Sequence, residues 1–213
     1  MFKLYDYFRS SACYRVRIAL NLKNISYEQV PIHLVQGKQQ NADYQKINPQ
    51  CLVPALVLPN NEVITQSMAI IEYLEETLSD IPLLPKDPIV RAQIRAFAQI
   101  VACDIHPVNN LRVLKYLKHE LDVNDDTKMK WYFHWLGLGF DAMESLLQSH
   151  QEGPYCFGEK PTLADVCLIP QVYNALRFEF SLEKYPLIHK IHQHCSRQSA
   201  FIKALPENQP DAE

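Results

Sequence analysis

The stretch NPQCLVPALVLPNNEVITQSMAIIEYLEETL, residues 48–78, decides the fold. Pro54 stands directly before an apolar run, and proline cannot donate to a sheet ladder. Val53-Pro54 therefore marks a tight turn into a strand, with either a cis bond or an ordinary trans proline at the strand start. A cis turn would leave the Val53 backbone facing outward, open to an extended ligand. ALVLPNNEVIT (55–65) then reads as two short strands around an Asn60-Asn61 turn. QSMAIIEYLEETL (66–78) follows as a helix, with Ser67 placed to cap its start. A helix start carries unpaired N–H groups and partial positive charge, so Gln66 and Ser67 stand where a carboxylate can be held.

Working outward, FKLYDYF (2–8) has the length and aromatic content of a strand, and YRVRIALNL (14–22) has helical spacing. SYEQVPIHL (26–34) is strand-like again, with Pro31 marking an edge position or an early end. The order is β-α-β, a hairpin and a closing helix. SDIPLLPKDP (79–88) carries three prolines in ten residues and reads as a linker. Beyond it helical patterns dominate, at 89–119, 127–150, 162–178 and 186–204, and PENQPDAE (206–213) reads as a disordered tail. The expected organisation is an α/β domain over 1–80, a linker over 81–88 and an all-α domain over 89–213. In GEKPTLADVCLIP (158–170), Thr162 with Asp165 three residues later is a capping-box pattern, assigned to folding.

The chain has 213 residues, 47% of them apolar, with a formal charge of −3 and a pI near 6.2, which gives no reason to expect nucleic acid or an anionic membrane as partner. No run of eighteen apolar residues occurs and MFKLYDYF lacks a signal-peptide core, so a cytoplasmic protein is expected. Six cysteines without a C-x-x-C pair read as reduced thiols, Cys103 and Cys167 as small core residues. HKIHQHC (189–195) puts His189 and His192 on one helix face but turns His194 elsewhere, so no metal site is expected. The aromatic run WYFHWLGLGF (131–140) reads as packing.

These segments in this order resemble the cytosolic glutathione transferases along essentially the whole chain. FRSSACYRVRIAL (8–20) narrows the resemblance to the zeta class, the maleylacetoacetate isomerases, whose pattern is S-S-C-x-W-R-V-R-I-A-L. QSMAIIEYLEE, LLPKDP and CLIPQVYNALRF are similar to zeta-class segments too. The resemblance implies a thioredoxin-like N-terminal domain plus an all-α C-terminal domain, the glutathione transferase fold, with glutathione as cofactor and a homodimer. One departure stands out. The family's cysteine falls on Ala12 and its tryptophan on Tyr14, so Cys13 is one residue out of register.

The implied nucleophile is therefore glutathione's own thiol, served by Ser10, with Ser11 as a neighbouring donor and Arg15 adding positive potential. A thiol of pKa about 8.5 is roughly 3% ionised at pH 7, and lowering that pKa by two units needs about 2.7 kcal/mol of preference for the anion. A hydroxyl donor and a helix N-terminus supply energies of that order. By the same resemblance, the segment Ser10, Ser11, Ala12, Cys13, Tyr14 and Arg15, together with Gln40, Val53, Gln66 and Ser67, holds the tripeptide. From the helical domain, His106 (where the family has glutamine), Asn110, Leu111 and Arg112 join them. Arg177 matches the family's substrate-side arginine, with Arg9 as a second. The implied reaction is cis–trans isomerisation of maleylacetoacetate to fumarylacetoacetate in tyrosine and phenylalanine breakdown. Alternatives are maleylpyruvate isomerisation, a general glutathione transferase or peroxidase, and a non-catalytic binding protein; the last predicts loss of Ser10, Gln66 or Ser67, and all three are present.

Overall fold

The computed structural model describes residues 1–78, 80–150 and 153–213; Ser79, in the proline-rich stretch, lies outside the described residues. The chain forms two compact units, one of Met1–Leu83 with Ser196–Glu213 and one of Leu84–Cys195. The first therefore takes in the last segment of the chain, which the sequence grouped with the helical domain.

In the first unit, β1 (Phe2–Asp6), β2 (Tyr27–Pro31), β3 (Ala55–Val57) and β4 (Val63–Thr65) form one sheet in the order β2-β1-β3-β4. β1 pairs parallel with β2, and β3 antiparallel with both β1 and β4. β2 is an edge strand, which is where Pro31 is tolerated. Asn61 (φ 68°) makes the turn between β3 and β4, a conformation asparagine tolerates better than most residues. The Val53-Pro54 bond is cis. α1 (Ser11–Leu22) and α2 (Ala42–Ile47) run between the strands, and α3 (Ser67–Thr77) follows β4. α2 escaped the sequence reading because it is six residues long and buries only Tyr44, too little for a periodic signal.

α1 is buried on nearly all sides: Val16, Ile18, Ala19 and Leu20 are fully inaccessible, each larger side chain contributing about 1.5–3 kcal/mol. Arg17 is inside as well and is paired with Asp6, Nη1 lying 2.8 and 3.0 Å from its two oxygens. Its remaining donors reach Phe8 O at 2.9 Å and Ala204 O at 3.1 Å. Ala204 closes α9 (Ser199–Ala204), which packs on α1. Segment 206–213 is not a disordered tail. Pro206 and Gln209 are buried, and Asp211 accepts from the Phe8 N–H at 3.1 Å. Polar composition suggested a tail because the partners that hold Asp211 and Gln209 from the start of the chain, the Phe8 N–H and the Gln29 side chain, lie far away in sequence.

The second unit is helical: α4 (Pro88–Gln99), a π-helical turn (Ile100–Ile105), α5 (Leu111–His119), α6 (Asp125–His150), α7 (Leu163–Arg177) and α8 (Pro186–Cys195). The run expected over 89–119 breaks at His106–Asn110, where Pro107 lacks an N–H and Asn110 caps α5. The run over 186–204 breaks as well, and α9 joins the first unit. The Thr162–Asp165 capping box is formed, and buried Asp165 also accepts from Cys156 N at 2.8 Å. All six cysteines are free thiols; Cys167 is buried, but Cys103 is exposed, because it lies on the outer side of the π-helical turn.

Candidate active site

Residues 7–10 connect β1 to α1, with Ser10 N donating to Tyr7 O at 2.9 Å. Ser10 is the N-cap of α1, and its Oγ accepts from Cys13 N at 3.3 Å. A hydroxyl has two lone pairs and one proton, so capping leaves that proton to donate. Ser11 opens the helix and is buried, and Ala12 beside it is half-buried. The Cys13 side chain is fully buried against Ser10. Burial first, and then the Asp6 charge, push its thiol well above the ordinary range. Such a thiol stays protonated and inert. Tyr14 is buried, with the Arg17 guanidinium 5.4 Å from its ring centre.

Arg15, also buried, donates from Nη1 to Ser67 Oγ at 3.4 Å and so ties the start of α1 to the start of α3. Ser67 is the first helical residue and not the cap expected from sequence. The cap position belongs to Gln66, whose φ is 70° and whose Nε2 donates to Gln50 Oε1 at 2.7 Å. The β3 ladder begins at Ala55, so Val53 lies ahead of it, on the far side of the cis bond. Gln40 ends a short 3-10 turn, is exposed, and shares no hydrogen bond with Ser10, Arg15 or Ser67 among the described residues. Arg9 is half-buried, its Cζ 4.6 Å from the Phe8 ring centre and its Nη2 3.7 Å from Glu213 Oε2.

In the second unit, His106 directly follows the π-helical turn, its Nε2 3.3 Å from Asn110 Nδ2. Asn110 Oδ1 accepts from Arg112 N at 3.1 Å, and both Leu111 and Arg112 are exposed. Arg177 ends α7 with its Cζ 5.0 Å from the Phe178 ring centre; among the described residues it pairs with neither Glu179 nor Glu183. Phe178 in turn packs 4.6 Å from Tyr132, whose hydroxyl donates to Asn174 Oδ1 at 2.6 Å. Burial raises the Tyr132 phenol, and the Arg177 charge partly offsets this. The histidine run on α8 disperses: His194 packs on Tyr155 at 4.8 Å, and His189 Nε2 lies 3.1 Å from Gln193 Nε2.

Sequence reasoning passed over Asp6, Arg17 and Asp211, which together hold the turn bearing Ser10. One signal was available, an arginine inside the apolar spacing of YRVRIAL, where a charge needs a buried partner.

The comparisons with known proteins agree with this layout. The sequence model described as "Glutathione S-transferase, N-terminal domain" matches residues 9–77, and that described as "Glutathione S-transferase, C-terminal domain" matches residues 111–204. The chain belongs to the glutathione S-transferase family. Within that family, a probable maleylacetoacetate isomerase of Vibrio cholerae is 47% identical over 98% of this chain and 97% of its own. The holo structure of maleyl pyruvate isomerase, described as a bacterial zeta-class glutathione-S-transferase, superposes with a TM-score of 0.96 at 44% identity, covering 99% of this chain and 100% of that one. The maleylacetoacetate isomerase of Methylobacterium extorquens AM1, with bound malonate and GSH, gives 0.95 at 38% identity, covering 99% of each chain. The likeness of this glutathione S-transferase is thus to the zeta class. Among the described residues no helix is long and apolar enough to cross a membrane.

Proposed function

We propose that the chain is a glutathione-dependent cis–trans isomerase converting maleylacetoacetate to fumarylacetoacetate. The observation that carries this reading is Ser10, a helix-capping serine whose proton remains to be donated, in a chain aligned end to end with proteins named for this reaction.

The residues of the first unit fit glutathione. Ser10 and the N-terminus of α1 offer a donor and partial positive charge to a thiolate, with Ser11 beside them and Arg15 adding charge from behind. Val53, ahead of the β3 ladder, suits backbone pairing with an extended peptide, while Gln66, Ser67 and the start of α3 suit a carboxylate. Gln40, His106, Asn110, Leu111 and Arg112 complete the assignment. Bound glutathione would supply a thiolate that adds to the cis double bond and leaves after rotation about the resulting single bond. The chain's own part is to hold that anion through Ser10 and to stabilise substrate charge. Arg177, fixed over Phe178 and free of ion pairs among the described residues, takes a substrate carboxylate, with Arg9 as a second cation. We further read the protein as a cytoplasmic homodimer.

Maleylpyruvate is the second substrate to weigh, since the maleyl pyruvate isomerase superposes as well as the maleylacetoacetate isomerase does. The deciding experiment is an isomerase assay on both compounds, with and without glutathione. Turnover that is absent without glutathione and present with it is expected. Glutathione-independent turnover, or none on either compound, would end this reading.

A further inference from the structure

The turn that carries Ser10 is held by a residue two hundred positions away. Between the end of β1 and the start of α1, the Phe8 peptide is gripped on both sides. Its N–H donates to Asp211 Oδ2 at 3.1 Å, and its carbonyl accepts from Arg17 Nη2 at 2.9 Å. Gln209 anchors the segment that precedes Asp211. The buried Gln209 amide donates to Lys203 O at 2.9 Å and Leu205 O at 2.6 Å, and its Oε1 accepts from Gln29 at 3.2 Å. Ala212 N donates to Gln209 O at 3.1 Å and closes a turn around Asp211. The second carboxylate oxygen of Asp211 is buried with no hydrogen-bond partner among the described residues. An oxygen left without a partner in this way is the exception in folded proteins and calls for an explanation.

We propose that Asp211 is a positioning residue for Ser10: by fixing the Phe8 N–H it sets the turn on which the serine stands, and with it the strength of the hydroxyl's bond to the glutathione thiolate. The inference rests on the reading of Ser10 given above. A misplacement of a fraction of an ångström weakens a charge-assisted bond markedly, whereas the charge of Asp211 acts in the opposite sense, since a nearby carboxylate disfavours a thiolate. The two effects can therefore be told apart.

The measurement is the pKa of bound glutathione, followed by thiolate absorbance against pH, in wild type, Asp211→Ala, Asp211→Asn, Ser10→Ala and the Ser10→Ala/Asp211→Ala double variant. Thermal unfolding checks that each is folded. Asp211→Ala should raise the thiol pKa by about half to one unit, roughly three- to tenfold less thiolate. Asp211→Asn, which keeps an oxygen to accept from Phe8, should stay at or below the wild-type value. The double variant should rise no further than Ser10→Ala alone, because Asp211 acts through Ser10. If the alanine variant does not fold, Asp211→Glu carries the same expectation of a raised pKa, since it keeps the charge but displaces the carboxylate by a methylene. Asp211→Ala at or below the wild-type pKa, with Ser10→Ala raised, would overturn the proposal and leave the Ser10 reading standing. Ser10→Ala at the wild-type value would remove both.

Discussion

Ser10 Oγ accepts the backbone N–H of Cys13 at 3.3 Å, so the serine uses as its helix-capping partner the one residue of this turn that carries a thiol. Cys13 is held inside as a protonated thiol, and Ser10 is left with a proton to give.

Ser10→Ala should lower isomerase turnover by about two orders of magnitude, the usual loss when one donor to a developing anion is removed, while glutathione still binds. Cys13→Ala should leave turnover within a few-fold of wild type. Steady-state kinetics on the two variants checks both, and a reversed order of effects would return the nucleophile to the protein.

Thiol labelling gives an independent view. Iodoacetamide on the native protein should modify the exposed Cys103 first and leave the buried Cys13, Cys156 and Cys195 unmodified, because burial raises all three thiols. Peptide mass spectrometry after limited exposure reads the order, and early labelling of Cys13 would contradict its burial.

Arg177→Ala should cost about 30- to 1,000-fold in kcat/KM on a maleyl substrate, corresponding to roughly 2–4 kcal/mol for leaving a bound carboxylate unpaired. Glutathione affinity and the slow conjugation of a neutral aryl halide should barely change. Equal losses on both substrates would make Arg177 structural.

His192 sits below its ordinary value of 6.5, chiefly through burial and secondarily through His189. With the folded value depressed, the unfolded chain binds the extra proton more readily, so stability is fully present above pH 6.5 and falls as pH drops through the folded value. Thermal midpoints measured from pH 8 to pH 5 should decline less in His192→Leu than in wild type. Parallel declines would assign the acid sensitivity elsewhere.

Gly139 on α6 faces the π-helical turn that leads to His106: a Cβ there would fall 2.5 Å from Ile105 Cγ1. Overpacking of this kind costs about 1–3 kcal/mol, against about 1 kcal/mol gained in helix propensity. Gly139→Ala should therefore lower the thermal midpoint, and an unchanged or higher midpoint would show that Ile105 yields freely.

Much of the first unit was legible because its signals are local: the V-P turn, the Asn-Asn hairpin and the spacing of α1 each lie within a dozen residues. What was missed depends on distance. The bond from Phe8 to Asp211 and that from Arg17 to Ala204 join residues about two hundred positions apart, and nothing in PENQPDAE marks its partners. Ser67 was misread as a cap for a related reason, since its hydroxyl is claimed by Arg15 from another helix. Cys103 was misplaced because a π-helical turn shifts the register by which an apolar run assigns its inner face.

The bond from Arg17 to Ala204 also orders events in time. A ribosome delivers residues 1–83 first, yet the first unit draws α9 and segment 205–213 from the far end of the chain. Until those arrive, a guanidinium meant for the interior lacks one acceptor and the Phe8 N–H lacks its carboxylate. The unit over Leu84–Cys195 is contiguous in sequence. The half that begins the chain is thus the half that is finished last, and a fragment ending at residue 83 should unfold without a cooperative transition in a calorimeter.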